Sequence, residues 1–271
     1  MASERLGEQP GLGHKPVLLI RADGNQDDAA ALAELGIDSV IDPYIRIEKS
    51  ESTTGALAML AALGEPGPKW LIVTSVNSIR CFSDLVGTEV LAAFQFEDDN
   101  ETRKLGYIGA KRYTRLTITP VNHASAAEVL TPNQSDSASL AEELANQSTA
   151  PGPTAIIPSG LLAMKALPNR LEAAGWRLIQ GVVYTTVPVS AAPPSVEAAR
   201  SGDFSAVIFR SPSAVRAFLS FVPAPTIPLV AAGFTTAKVI EDAGLPVASI
   251  PSNPTPKSVA AAVKSLLEGA R

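Results

Sequence analysis

The sequence is poor in the side chains from which many enzymes build metal sites and catalytic triads. Its 271 residues include one cysteine, Cys81, and two histidines, His14 and His123. A single cysteine excludes an internal disulfide and favours a reducing compartment. So few cysteines and histidines provide no metal-ligand cluster at diagnostic spacing, and a Ser-His-Asp triad would need a histidine in ordered structure. We therefore expect no metal site.

Basic charge and long apolar runs are also scarce. The chain has 22 Lys and Arg against 27 Asp and Glu, a formal net charge of −5. This balance argues against a general nucleic-acid binder, although it permits a local basic cleft. Apolar runs such as Val17–Ile20 are too short to span a bilayer, and the amino-terminal "MASERLGEQPGLGHKP" lacks the apolar core of a secretory signal. We expect a cytoplasmic monomer with no nucleic-acid or membrane partner.

The sequence does contain a regular alternation of short apolar segments with helical segments. "PVLLI" (16–20) is typical of a buried strand, and "QDDAAALAELG" (26–36) after it is typical of a helix. This alternation predicts an α/β fold with parallel sheets flanked by helices. The other predicted strands are "IDSVIDP", "WLIVTS", "LGYIG", "TAIIPS", "WRLIQGVVY", "FSAVIFRS", "IPLVAAG" and "LPVASIP".

Two segments depart from this pattern and predict connectors between two domains. "YIRIEK" (44–49) alternates apolar with charged residues, as a half-exposed strand does. "VVYTTVPVS" (182–190) is β-branched and longer than a buried sheet needs. If the two segments pair, the middle of the chain is a domain inserted into another. We predict a discontinuous α/β domain from 1–43 plus 188–271, an inserted α/β domain from 48–183, and a two-stranded β connector near 44–48 and 183–189.

A strand–serine–helix pattern occurs twice in the chain. Alignment of "VTSVNSIRCF" (73–82) with "FRSPSAVRAF" (209–218) matches Ser75 with Ser211. The repetition indicates two similar domains. Because ligands of open α/β sheets bind at the carboxyl ends of the strands, we expect the site in the cleft between the domains.

A strand–glycine–helix turn is repeated as well. "YIGAKR" (107–112) resembles "VAAGFTT" (230–236), and Gly109 matches Gly233. The free N–H groups of a first helical turn, with hydroxyls beside them, bind carboxylates or phosphates. Each hydroxyl can equally cap its own helix, but several such turns in one cleft favour anion binding. The candidate binding residues in these turns are Ser75, Gly109, Ser211, Gly233, Thr235 and Thr236.

Three arginines and one tyrosine complete the candidates. Arg21, at the end of the first strand, is either a solvated charge or a clamp for an anionic ligand, and we include it among the binding residues. Arg80 and Arg216 lie inside helices, where pairing with a neighbouring carboxylate is the commoner role. Tyr184 lies on the second connector, where it either packs between domains or donates a proton as a general acid.

These residues together resemble the uroporphyrinogen-III synthase family. "LVAAGFTTAKVIEDAGLPVASIPSNPTPKSVAAAV" (229–263) follows the family's carboxyl-terminal pattern of a glycine, a Thr-Thr helix start, "GLPV" and a Pro-Thr-Pro turn. "VIFRSPSAVRAF" (207–218), "VVYTT" (182–186) and "LLIRADGNQDDAAALAELG" (18–36) resemble its other elements. The resemblance spans nearly the whole chain, closely after residue 180 and loosely between 85 and 155.

The resemblance implies a lyase of haem and tetrapyrrole biosynthesis. Its activity is cyclisation of the linear tetrapyrrole hydroxymethylbilane to uroporphyrinogen III, with inversion of ring D and loss of water, and without a metal or other cofactor. Two α/β domains joined by a two-stranded ladder are the architecture it implies. Tyr184 matches the family tyrosine proposed to assist hydroxyl departure, while Ser211, Gly233 and Thr236 match substrate-contacting turns.

The chain departs from the family pattern at three places. Arg112 stands where a threonine follows the first glycine turn, Arg210 stands where a threonine often precedes Ser211, and the "IPSG" turn keeps Gly160 without its usual charged neighbours. These changes indicate either a binding mode with added cations or a non-catalytic tetrapyrrole-binding or regulatory relative. A regulator would often carry an extra DNA-binding segment. A two-lobed binding protein of the periplasmic type, the third hypothesis, would require an export signal.

Overall fold

The computed structural model describes residues 15–65, 69–73, 75–87, 114–117, 142, 144, 153–162 and 165–269. The chain divides into two compact units. Unit 1 comprises Met1–Arg46 and Val187–Arg271, and unit 2 comprises Ile47–Thr186.

Strands and helices alternate along most of the described chain. The strands are β1 (Val17–Leu19), β2 (Ser39–Ile41), β3 (Ile45–Lys49), β4 (Lys69–Val73), β5 (Thr114–Thr117), β6 (Thr154–Gly160), β7 (Arg177–Pro188), β8 (Ala206–Phe209) and β9 (Leu229–Ala231). The helices are α1 (Asn25–Ala33), α2 (Thr54–Gly64), α3 (Val76–Val86), α4 (Ala166–Ala173), α5 (Val196–Arg200), α6 (Pro212–Phe221), α7 (Phe234–Asp242) and α8 (Pro256–Gly269).

Unit 1 contains a parallel sheet with the strand order β2-β1-β8-β9. Successive residues of β1 point to opposite faces of this sheet. Leu18 belongs to a core that includes Phe218 of α6, whereas Leu19 belongs to a second core that includes Val263 of α8. Because both faces are covered, β1 and β8 consist entirely of buried apolar residues.

Unit 2 contains a five-stranded sheet with the order β3-β7-β6-β4-β5. β4, β6 and β7 are parallel, and β5 pairs antiparallel with β4. Leu71 packs on one face with Phe82 of α3, and Trp70 packs on the other face with Leu171 of α4. The sheet of unit 2 is therefore also covered on both faces.

The predicted α/β fold class with an inserted domain and a two-stranded connector is confirmed. The division between the units falls inside β3 and β7, which are neighbours in the sheet. Tyr44 O accepts from Val189 N–H at one end of this pair, and Ser50 N–H donates to Val183 O at the other, each at 3.0 Å. Residue numbers increase along β3 as those of their partners in β7 decrease, so the pair is antiparallel.

Two elements differ from the predictions. The segment "LPVASIP" (245–251) contributes only the isolated bridge Val230↔Ser249, because its prolines have no N–H to donate to a ladder. The antiparallel strand β5 follows no predicted strand, and the predicted strand "LGYIG" lies outside the described residues. No helix in the described part of the chain is long and apolar enough to cross a membrane.

Candidate functional site

Ser75 of unit 2 begins helix α3 where strand β4 has just ended. It is the N-cap residue, with extended dihedral angles of −155° and 153°, and its Oγ accepts a hydrogen bond from Ser78 N–H at 3.1 Å. The capping role that the sequence left open is therefore realised.

The structure brings Tyr184 together with Ser75. Tyr184 lies on β7 and is half-buried, and its Oη lies 3.1 Å from Ser75 Oγ although 109 positions separate them in the chain. The phenol is thus held at the carboxyl end of β4, beside the first turn of α3. Ser75 Oγ therefore both caps α3 and contacts the Tyr184 hydroxyl.

Gly160 provides the space that the Tyr184 ring occupies. It is the last residue of β6 and pairs with Tyr184 of β7, just after a β-bulge at Ser159. A Cβ atom at Gly160 would lie 2.7 Å from Tyr184 Cζ and 3.0 Å from Oη. Side chains larger than hydrogen are therefore incompatible with this position of the ring. Ser75, Gly160 and Tyr184 form one cluster, the tyrosine cluster of unit 2.

Unit 1 gathers three of the predicted residues at the carboxyl edge of its sheet. Leu19, Ile208 and Val230 are in register across the neighbouring parallel strands β1, β8 and β9. Arg21 follows that row by two residues, and Ser211 and Gly233 each follow it by three. Because the strands are parallel and adjacent, all three chain positions lie at the same edge.

The two helix starts at this edge differ in their capping. Ser211 Oγ accepts from Ala214 N–H at 3.3 Å and lies 3.0 Å from Ser213 Oγ. Gly233, the N-cap residue of α7, has extended backbone and no side chain with which to cap the helix. The N–H groups of Thr236 and Ala237 both donate to Gly233 O at 3.0 Å, so backbone hydrogen bonds alone close the first turn of α7.

The two threonines of α7 have different environments. The Thr235 side chain is exposed, whereas Thr236 is buried with 5% of its surface accessible. Of the two predicted hydroxyls, Thr235 is the one on the exposed face of this first turn.

Arg21 is held close to the backbone of its own turn. Its backbone N–H donates to Asn25 Oδ1 at 3.2 Å, and its side-chain Nη1 donates to Gly24 O at 3.2 Å. Burial, and then the nearby Arg210 guanidinium, lower the pKa of Arg21 below its ordinary value. The guanidinium remains charged at neutral pH nonetheless. The carboxylates of Asp28, Asp23 and Asp27 act in the opposite direction, so Arg21 already has anionic neighbours and its role as a clamp stays a prediction.

One interpretation of the sequence made Arg210 an added cation for the ligand. In the structure, its guanidinium is instead paired within unit 1. Its Nε donates to Asp28 Oδ2 at 2.9 Å, its Nη2 donates to Asp28 Oδ1, and its Nη1 donates to Pro254 O. The side chains of Arg210 and Asp28 are only 8% and 2% exposed. This buried pair joins α1 to the end of β8. The signal available in the sequence was the paired Asp27 and Asp28 in the first turn of α1.

The remaining candidates lie elsewhere or outside the described residues. Arg80 and Arg216 are exposed on α3 and α6, and Arg80 Nη2 donates to Asn77 Oδ1 at 2.8 Å. Gly109 and Arg112 are outside the described residues. In the ranges that the structure describes, no three His, Cys, Asp or Glu side chains are grouped so that they could hold a metal ion.

Comparison with known proteins adds a family and a fold. The family model described as uroporphyrinogen-III synthase HemD matches residues 26–261. The structure of a mutant uroporphyrinogen III synthase from Thermus thermophilus is 16% identical, with 94% of this chain and 99% of that chain covered and a TM-score of 0.53. The structure of uroporphyrinogen-III synthetase from Helicobacter pylori is 14% identical, with 95% and 100% covered and a TM-score of 0.57. At such identities the two structures establish a shared fold, and the family model, which matches most of the sequence, establishes that the chain belongs to the uroporphyrinogen-III synthase family.

Proposed function

We propose that this chain cyclises hydroxymethylbilane to uroporphyrinogen III, with inversion of ring D and loss of water. The observation that carries the proposal is the tyrosine cluster of unit 2. There, a half-buried phenol lies 3.1 Å from Ser75 Oγ, beside a helix start and against a glycine that leaves room for its ring. Family membership and fold support the same reaction class.

Binding of the substrate is assigned to the carboxyl edges of both sheets. Hydroxymethylbilane carries eight carboxylates, and helix N-termini together with arginine are suited to carboxylates. In unit 1 the candidate groups are Arg21, Ser211, Gly233, Thr235 and Thr236, of which Thr236 is buried. In unit 2 they are Ser75 and, outside the described residues, Gly109.

Tyr184 is assigned the role of general acid. An uncharged phenol donates its proton to the departing hydroxyl of hydroxymethylbilane, so that water leaves and an electrophilic methylene carbon remains. Ring D attacks this carbon through its substituted position, and the bond from that position to its existing methylene bridge then breaks. The bridge forms a new bond to the free α-carbon of ring D, which inverts the ring, and the proton lost from that carbon replaces the one that tyrosine gave. In total, one hydroxymethylbilane gives one uroporphyrinogen III and one water.

Control of geometry is the main task of such an enzyme. Because hydroxymethylbilane loses its hydroxyl and closes unaided, rate alone does not produce isomer III. The protein has to hold ring D so that the substituted carbon reaches the methylene carbon. No step in this scheme requires a metal or another cofactor. We also propose that the protein acts in the cytoplasm and that it is a monomer. Gel filtration of the purified chain tests its oligomeric state.

The direct test is product analysis with freshly generated hydroxymethylbilane. The purified chain is expected to form isomer III faster than isomer I appears in a protein-free control. If only isomer I forms, at the spontaneous rate, the proposed function is wrong. Tight binding of the tetrapyrrole without turnover would instead identify the non-catalytic relative.

Replacement of Tyr184 by phenylalanine tests the proposed acid. A positioned general acid contributes about 10²–10⁴-fold to a rate, so kcat for isomer III is expected to fall by at least about 10²-fold. The ring stays in place, and the lost hydroxyl contact changes the free energy of unfolding by about 1 kcal/mol.

Tyr44→Phe is the matched control for this variant. Tyr44 is fully buried in unit 1, and its Oη lies 3.0 Å from Ser195 Oγ. The control makes the same chemical change and is expected to lower the melting temperature while leaving the isomer III rate near that of the native chain. Native turnover in Tyr184→Phe would remove the phenol from the mechanism.

A further inference from the structure

A second serine lies behind the tyrosine cluster. Ser78, on the first turn of α3, is completely buried, and its Oγ lies 2.9 Å from Ser75 Oγ. With the 3.1 Å contact between Ser75 and Tyr184, three hydroxyls form a continuous chain from the core of unit 2 to a half-exposed phenol. No sequence pattern selects Ser78, because a serine at this position is typical of an ordinary polar site in a helix.

Counting protons and lone pairs limits the direction of this chain. Ser75 Oγ has one proton and two lone pairs, and Ser78 N–H already occupies one lone pair. Only one lone pair is left, so Ser78 and Tyr184 cannot both donate to Ser75. Ser75 must accept from one of them and donate to the other.

Among the described residues, burial favours one of the two directions. If Tyr184 donates to Ser75, then Ser75 donates to Ser78, and the buried Ser78 proton finds no acceptor among the described residues. An unpaired buried donor is unfavourable. If Ser78 donates to Ser75, then Ser75 donates to Tyr184, and every buried proton is used. The phenol proton then remains free for a ligand.

The repeated pattern in unit 1 lacks this arrangement. The residue three positions after Ser211 is Ala214, whereas the residue three positions after Ser75 is Ser78. Ser211 Oγ instead lies near Ser213 Oγ, two positions on. The extra buried hydroxyl therefore occurs in the copy of the pattern that contacts Tyr184, and a helix cap alone does not require it.

We propose that Ser78 is a positioning residue, which donates to Ser75 Oγ so that Ser75 donates to Tyr184 and the phenol proton is directed towards the substrate. This inference rests on the proposed function. It assigns to Ser78 no contact with the substrate. Its effect is expected on the chemical step and not on substrate binding.

The test is a double-mutant cycle between Ser78→Ala and Tyr184→Phe, read as the initial rate of isomer III formation. Ser78→Ala in the native background is expected to lower kcat about ten-fold, the order of one hydroxyl hydrogen bond, with KM nearly unchanged. In the Tyr184→Phe background it is expected to have no further effect, because no phenol proton is left to direct. Ser78→Thr, which keeps the hydroxyl, is expected to recover most of the rate.

Ser83→Ala is the matched control. Ser83 is buried on the same helix, but its Oγ donates to Ile79 O at 2.8 Å. It should keep native kcat. If Ser78→Ala does not fold, Ser78→Cys supplies a side chain of similar size with a much weaker donor and is expected to show the same loss.

The outcomes separate the two levels of the argument. Equal losses from Ser78→Ala in both backgrounds, or native kcat in a folded Ser78→Ala, would overturn the role of Ser78 while the enzyme remains a synthase. Absence of isomer III with the unaltered chain would overturn the proposed function and this inference together.

Discussion

Gly160→Ala is the substitution whose effect follows most directly from the geometry. The new Cβ would lie 2.7 Å from Tyr184 Cζ, and ordinary van der Waals contacts begin at 3.4 Å. The ring must therefore move by about 0.7 Å, the difference between these two distances. Its hydroxyl cannot keep its present contact with Ser75 Oγ unless the helix start moves with it.

Gly160→Ala is expected to change both the free energy of unfolding and kcat. Overpacking at a filled site costs about 1–3 kcal/mol in the free energy of unfolding. A catalytic group misplaced by about 1 Å loses up to 10²-fold in rate, so we expect kcat for isomer III to fall by roughly 10- to 100-fold. KM should change little, because Gly160 lies against the phenol and not in a predicted carboxylate-binding turn.

The assay combines isomer analysis with urea unfolding. Gly269→Ala is the control, since an added Cβ there meets nothing within 4 Å and α8 tolerates alanine. The control should keep native rate and stability. Native kcat in Gly160→Ala, in protein that unfolds at the native urea concentration, would show that the phenol is not confined by this glycine.

Two further predictions concern stability. Asp28→Asn leaves the Arg210 guanidinium buried without its carboxylate, so the free energy of unfolding should fall by about 3–5 kcal/mol in urea titrations; a loss below about 1 kcal/mol would contradict the burial of the pair. Burial raises the pKa of the Cys81 thiol, so the folded state holds this proton more tightly than the unfolded state. The resulting stability is complete below the ordinary thiol pKa of about 8.5 and is lost as pH rises through the raised folded value. Between pH 7 and pH 10 the native chain should therefore lose more stability than Cys81→Ala, and equal losses would contradict this.

The architecture was largely accessible from the sequence because both sheets follow simple periodic rules. Continuous apolar runs such as Val17–Leu19 are required where a strand is covered on two faces, and alternation in 44–49 marks the half-exposed β3. The strand β5 was missed because "TRLT" (114–117) is a short edge strand with no apolar run. The segment 245–251 was assigned as a strand because its apolar content outweighed its prolines.

The candidate site was less accessible because it depends on strand register. Tyr184 meets Gly160 through a ladder that shifts at Ser159, and a one-residue slip would turn the phenol to the opposite face of the sheet. No sequence periodicity encodes such a shift. The partner of Arg210 was inaccessible for a related reason, since the ion pair depends on how α1 packs beside β8.

The paired strands β3 and β7 have a consequence for how this chain can be cut and rejoined. Backbone hydrogen bonds join Tyr44 to Val189 and Ser50 to Val183. In this register, Arg46 and Val187 lie opposite each other across the ladder. Removal of unit 2 would thus leave two ends only about 4.8 Å apart, one interstrand spacing. A two-residue hairpin turn spans that gap. Each half of the molecule can therefore be closed on itself by a short graft, and the inserted half can be exchanged for that of a relative without lengthening either strand.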